Sequence, residues 1–193
     1  MSVEVIAIIV TIVIAVVGYV ATYITNILLS RRTERLNIIN KQLSEFYGPL
    51  YSIVDTGDRV WKAFRDKYPH VDPNTEASEP NTGALDEELE AWRLWMTTVF
   101  MPQNLQVYEL ITSKADLLIG SDIPQVLKEF CAHVAAYKAV VKQWEDQKFS
   151  ESYSAIRYPR DELRKYSTQS FLHLKKKQEK IIGKMMRSNS PEL

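Results

Sequence analysis

The chain has 193 residues, with 24 basic and 24 acidic side chains, so its formal net charge is zero. This balance argues against wholesale nucleic-acid binding, which needs an excess of basic side chains. The only cysteine is Cys131, which excludes an intrachain disulfide framework and a cysteine-based zinc site and suits a reducing compartment.

The first predicted element is a long apolar helix over residues 5–29. About 25 helical residues extend roughly 37 Å, enough to cross a bilayer with some tilt. The chain start lacks the basic residues and cleavage site of a secretory signal, and Arg31, Arg32 and Arg35 follow the apolar run. By the positive-inside rule, residues 1–30 are a single-pass anchor in the cell membrane, with the N-terminus outside and the C-terminal domain cytoplasmic.

Small residues line one face of this helix. Their side chains allow two membrane helices to pack closely. They are Ala7, Thr11, Ala15, Gly18, Thr22 and Thr25. The same register leads into an apolar seam over residues 33–68, with the alternating spacings of three and four that are typical of a coiled coil. We therefore predict a homo-oligomer built on the first helix; the alternative is that the seam packs on helices of its own protomer.

The apolar seam after the anchor contains one interruption. Its members are Leu36, Ile39, Leu43, Phe46, Leu50, Ile53, Val60 and Phe64. Gly48-Pro49 lies within it, and proline removes a backbone hydrogen bond and crowds the carbonyl four residues earlier. We expect a kink or a break at this point.

The rest of the chain also has helical periodicity. Helices are predicted over residues 85–101, 102–118, 123–147 and 160–187, after a polar loop over 69–83. The fold class is therefore all-α: one N-terminal transmembrane helix continuing into a cytosolic antiparallel bundle of about four to five helices, over residues 31–187. Residues 188–193 are predicted to be a disordered tail.

A short motif offers an enzymatic alternative. Residues 65–70, Arg-Asp-Lys-Tyr-Pro-His, resemble the Arg-Asp-x-x-x-His signature of HEPN-type ribonucleases, whose domains are all-helical. The resemblance implies that Arg65 and His70 are catalytic and act on RNA from paired protomers. Pro69 disfavours a helical conformation at Tyr68, so we expect His70 to lie in the loop.

Two other side-chain groups have alternative interpretations. Lys175, Lys176, Lys177, Lys180 and Lys184 are candidates to bind a phosphate-bearing ligand. They are also candidates to neutralise the acidic stretch over residues 72–90. Glu129 and His133 share a helix face, but a metal site needs three or four ligands, so we predict none.

Trp92 and Trp95 make the second predicted bundle helix apolar on more than one face, and we predict that they form a partner surface. No phosphate-binding loop or nucleophile elbow is present in the sequence, and we expect no cofactor. The predicted function is a non-enzymatic oligomeric sensor, scaffold or effector at a membrane, with a protein partner and without nucleic acid or nucleotide. By architectural analogy, such anchored bundles suit bacterial stress or phage-defence systems.

Overall fold

The computed structural model describes residues 2–71 and 86–189, with side chains through residue 186, and this part of the chain is helical without a strand. It divides into two compact units. One joins Met1–Asn40 with Lys177–Leu193, and the other is Lys41–Lys176. Inside the first unit, the side chain of Gln178 donates a hydrogen bond to the Asn40 side chain at 2.7 Å.

Four helical segments make up the described residues. The elements are α1 (Val3–Gln42), a π-helical turn (Leu43–Tyr47), α2 (Gly48–Lys67), α3 (Asp86–Trp95), a second π-helical turn (Met96–Phe100), α4 (Met101–Ser113), a 3-10 turn (Ala115–Leu117), α5 (Gln125–Glu145) and α6 (Arg160–Asn189). Each π-helical turn joins its two flanking α-helices without a gap. The prediction of two separate helices over 85–101 and 102–118 was therefore wrong.

Each π-helical turn is followed by a proline. Pro49 and Pro102 are both the second residue of the α-helix that follows such a turn. A π-helical turn contains one extra residue, so the helix continues through each proline despite the N–H that the ring removes. The kink or break expected at Gly48-Pro49 is thus a change of helix type.

The first π-helical turn also explains Gly48. Its backbone N–H donates to the carbonyl of Leu43, and a Cβ atom at this position would lie 2.5 Å from that carbonyl oxygen. Such a distance is a steric clash with backbone, which cannot move as a side chain can. Glycine is therefore needed here for close approach and not for flexibility.

The predicted apolar seam is largely buried. Ile39, Leu43, Phe46, Leu50 and Phe64 are buried, whereas Leu36, Ile53 and Val60 are half-buried. Because the π-helical turn shifts the register, the adjacent residues Phe46 and Tyr47 both reach the core with no exposed surface. Tyr47 is thus a core residue, although it lies outside the predicted seam.

Helix α2 packs on α4 and α6. The rings of Tyr51 and Phe171 stack with centroids 4.8 Å apart, which joins α2 to α6. At the other end of α2, Phe64 meets the rings of Trp92, Trp95 and Phe100 within 6 Å. Aromatic pairs at these separations add to the free energy of simple burial.

Helix α5 largely follows the regular helical repeat. That repeat predicts one inner face formed by Leu127, Phe130, Val134, Tyr137, Val141 and Trp144. All of these except the half-buried Val141 are buried, and so are His133 and Val140. In α4, the repeat predicts Ala115 on the inner face, but Ala115 is exposed because the α-helix ends at Ser113, and Val107 is buried.

The two predicted irregular regions lie largely outside the described residues. Residues 72–85 include most of the polar loop and Leu85, and residues 190–193 include most of the predicted tail. Helix α6 extends to Asn189, two residues beyond its predicted end at residue 187.

Candidate functional site

The apolar part of α1 is a helix without protein cover. It is long enough and apolar enough to cross a membrane, and none of its most apolar stretch is buried by the described part of the chain. The Thr11, Thr22 and Thr25 hydroxyls each donate to the carbonyl four residues earlier, at 2.9 Å. These hydroxyls are therefore satisfied within the helix and do not need water or a second helix.

The predicted small-residue face lies on this uncovered segment. Its members, Ala7, Thr11, Ala15, Gly18, Thr22 and Thr25, are all exposed. At Gly18, no heavy atom lies within 4 Å of the position that a Cβ would occupy. Among the described residues, the face is thus exposed, with open space at Gly18.

A small cavity of about 50 Å³ lies inside the second unit. Its aromatic and thioether walls are Trp61, Trp92, Met96, Phe100, Tyr137 and Tyr158. Its other lining residues are Gly57, Gln103, Asn104, His133 and Arg160. Since a water molecule needs roughly 10–15 Å³ measured in this way, the cavity has room for a few waters or a ligand of a few heavy atoms.

Arg160, the first residue of α6, is the charged side chain of this cavity. Its guanidinium carbon lies 4.0 Å from the ring centroid of Trp61 and 5.1 Å from that of Tyr158. The side chain is half-buried, and its Nε atom is buried without a hydrogen-bond partner in the described part of the chain. Burial lowers the pKa of this guanidinium, although arginine keeps its charge in proteins.

The other titratable groups of the cavity are held neutral. Burial lowers the pKa of His133, whose Nδ1 contacts the carbonyl of Ile156, so its neutral form is favoured. Burial also raises the pKa of Tyr137 and Tyr158. The cavity therefore combines one cation with neutral polar groups and aromatic walls.

The wall of the cavity is fixed by hydrogen bonds. The Tyr137 hydroxyl donates to the Ser152 carbonyl at 2.8 Å, and the Trp92 indole N–H lies within reach of both oxygens. These bonds tie α3 and α5 to the loop that precedes α6. That loop in turn delivers Tyr158 and Arg160 to the cavity.

The residues of the HEPN-like motif are engaged separately. Helix α2 ends at Lys67, and His70 lies in the turn that follows, as the sequence predicted. Arg65 donates to the carbonyl of Val71, whereas the imidazole of His70 contacts the Glu88 carboxylate at 3.2 Å. The structure thus gives the two residues different partners.

The remaining predicted residues lie in different environments. Trp92 is 3% exposed and belongs to the core, and Trp95 is half-buried against Phe64. Of the basic side chains on α6, Lys176, Lys177, Lys180 and Lys184 are exposed and Lys175 is half-buried. Most of the acidic stretch proposed to face them lies outside the described residues.

Sequence reasoning missed most of the cavity. It noted His133 and Trp92 for other reasons, but not Trp61, Tyr158 or Arg160. Trp61 is almost 100 residues from the other two, and the three have no motif spacing. The available signal was the Tyr158-Pro159-Arg160 segment at the start of a helix, which places a cation beside an aromatic ring.

Comparison of the chain with protein-family models, with curated proteins and with solved structures found no significant match.

Proposed function

We propose that this chain is a single-pass membrane protein, that residues 31–187 form a cytosolic antiparallel helical bundle, and that it acts without catalysis as an oligomeric sensor, scaffold or effector. The observation that carries the proposal is the uncovered apolar helix α1. A core helix of a soluble protein would be mostly buried, and large exposed apolar surfaces mark membrane or protein contacts.

The orientation follows from charge. Arg31, Arg32 and Arg35 follow the apolar segment, and the residues before it contain no lysine or arginine. Short flanking segments rich in basic residues stay in the cytoplasm. Helices α2 to α6 would therefore lie on the cytoplasmic side.

The bundle and its assembly have separate support. Helix α2 contacts α4, and α4 contacts α5, as neighbouring helices of a bundle do. The small-residue face of α1 is exposed in the described part of the chain, with open space at Gly18, which leaves it available to a second copy. Among the three roles, the cavity beside Arg160 favours that of a sensor, because a sensor needs a ligand site.

The proposed topology can be tested by labelling single cysteines with a membrane-impermeant maleimide in spheroplasts of a bacterial expression host. The background variant is Cys131→Ser, which by itself should not be labelled. With Ser2→Cys added, labelling is expected in intact spheroplasts. With Ser150→Cys, which lies in the exposed loop after α5, labelling is expected only after lysis.

Two results would overturn the proposal. Labelling of Ser150→Cys in intact spheroplasts would reverse the orientation. Recovery of the wild-type chain in the soluble fraction after alkaline carbonate extraction would exclude a membrane span.

A further inference from the structure

We propose that the cavity of the second unit binds a small monocarboxylate and that Arg160 holds the carboxylate group. This inference deepens the sensory role proposed above and rests on it only for its biological meaning. Binding itself can be measured whether or not α1 crosses a membrane, because all lining residues belong to Lys41–Lys176.

The first reason for this proposal is that the Nε atom of Arg160 is buried without a hydrogen-bond partner among the described residues. Burying a charged group is unfavourable unless hydrogen bonds or an opposite charge compensate it. Asp58 and Asp161 influence the guanidinium of Arg160 electrostatically, but both have closer partners. Asp58 pairs with Lys62 at 2.8 Å, and Asp161 pairs with Arg164 at 3.2 Å. An anion in the cavity would supply the missing partner for Arg160.

The planar shape of the Arg160 guanidinium favours a planar anion as its ligand. Trp61 and Tyr158 flank the guanidinium, which restricts its orientation. A guanidinium in a fixed plane binds a carboxylate through two parallel N–H···O bonds. The Tyr158 hydroxyl and the Gln103 and Asn104 amides line the same cavity and have no hydrogen-bond partner within the described ranges, so they are available as additional donors.

Charge and wall chemistry favour a monoanion with a short apolar part. Arg160 is the single cation among the lining residues, and burial favours the neutral form of His133. A phosphate dianion would keep one uncompensated charge. The rings of Trp92 and Phe100 form an apolar wall of the cavity, which suits methyl or methylene groups. The cavity volume of about 50 Å³ suits a ligand of the size of propionate.

The experiment titrates the full-length chain, purified in a mild detergent, with sodium propionate while tryptophan fluorescence is recorded. Because Trp61 contacts the guanidinium, a bound carboxylate should change its emission in a saturable way. Propionamide has the same shape without the charge. Its affinity should be weaker than that of propionate by about tenfold or more, as expected when a hydrogen bond to a charged group is lost. Inorganic phosphate and sodium chloride are titrated in parallel and should bind more weakly than propionate.

Variants test the assignment to Arg160. Arg160→Gln should weaken propionate binding by about tenfold or more. Arg157→Gln removes an exposed arginine three residues earlier and should leave binding unchanged. Gly57→Leu keeps Arg160 but adds a side chain at the cavity wall, and it should also weaken binding if the cavity is the site.

The wild-type titration decides the proposal even if a variant fails to fold. No saturable response to propionate, or an equal response to propionamide, would overturn it. Equal or tighter binding of phosphate would overturn the choice of a monocarboxylate. Unchanged affinity in folded Arg160→Gln, verified by circular dichroism, would overturn the role of Arg160. A soluble or inverted chain that still binds propionate would contradict only the membrane proposal.

Discussion

The hydroxyl groups of Tyr47 and Tyr166 lie 3.2 Å apart and join the first π-helical turn to α6. The Tyr47 hydroxyl also accepts a hydrogen bond from the backbone N–H of Ile119 at 2.9 Å. Tyr47 has no exposed surface, and its hydrogen bond with the Ile119 amide is partly buried. One buried hydroxyl therefore connects three parts of the second unit.

Replacement of Tyr47 by phenylalanine should lower the free energy of unfolding by about 0.5–1.5 kcal/mol, because it removes the side-chain acceptor of the Ile119 amide. Tyr166→Phe removes the contact between the two hydroxyls but keeps the acceptor, so its loss should be smaller. Urea unfolding of the full chain in detergent, followed by tryptophan fluorescence, measures both. Equal losses would contradict the importance of the Ile119 amide.

Gly48→Ala should destabilise the protein, although alanine usually stabilises a helix interior by up to about 1 kcal/mol relative to glycine. Its methyl group would lie 2.5 Å from the Leu43 carbonyl oxygen. Gly57→Ala is the matched control, since its methyl would meet the movable Gln103 amide at 3.3 Å. Thermal unfolding should therefore show a lower Tm for Gly48→Ala and an unchanged or higher Tm for Gly57→Ala. The opposite order would exclude the steric explanation of the π-helical turn.

Helical periodicity explains why much of the fold was predictable. The 3.6-residue repeat alone identifies Phe130 and Tyr137 of α5 as core. A π-helical turn inserts one residue, so a regular repeat cannot place the adjacent pair Phe46 and Tyr47 in the core together. Pro49 was expected to kink or break its helix and residue 102 to begin a new one, but the helix continues through both prolines, because the preceding turn widens.

The cavity was less predictable for a different reason. Arg160 is polar and begins a helix, which usually means a solvated side chain. Its contact with Trp61, almost 100 residues earlier in the chain, helps to cover this half-buried cation. The pairing of Arg160 with Trp61 depends on tertiary packing, and the local Tyr158-Pro159-Arg160 segment contains no signal of it.

Gly18→Leu should weaken association of the full chain in detergent, because close packing of membrane helices needs small side chains. The added side chain has open space in its own protomer, so a loss of association would arise between copies. Val16→Leu, which lies on another face of α1, should leave association unchanged. Light scattering coupled to size exclusion measures the mass of the protein component. A strictly monomeric wild type would refute the oligomer.

His70→Ala should leave the fold intact and should not alter any activity of the chain on RNA. Its imidazole lies in a turn and contacts Glu88, whereas Arg65 is bound to the Val71 carbonyl. A catalytic pair would be nearly intolerant of removal. The test compares cleavage of a labelled RNA by the wild type, His70→Ala and Arg65→Ala. Cleavage by the wild type that is lost in both folded variants would restore the ribonuclease interpretation.

The buried imidazole of His133 should make stability depend on pH. Its pKa in the folded state is lowered, mainly by burial, whereas in the unfolded chain it returns to about 6.5. Between these values the unfolded state binds more protons, so the free energy of unfolding falls as the pH falls below about 6.5 and is fully retained above it. Tm measured from pH 7.5 to pH 5.5 should therefore decrease, and His133→Gln should reduce this slope. His173→Gln removes an exposed histidine and should leave the slope unchanged. An equal slope in wild type and His133→Gln would show that other groups, and not this imidazole, control the pH dependence.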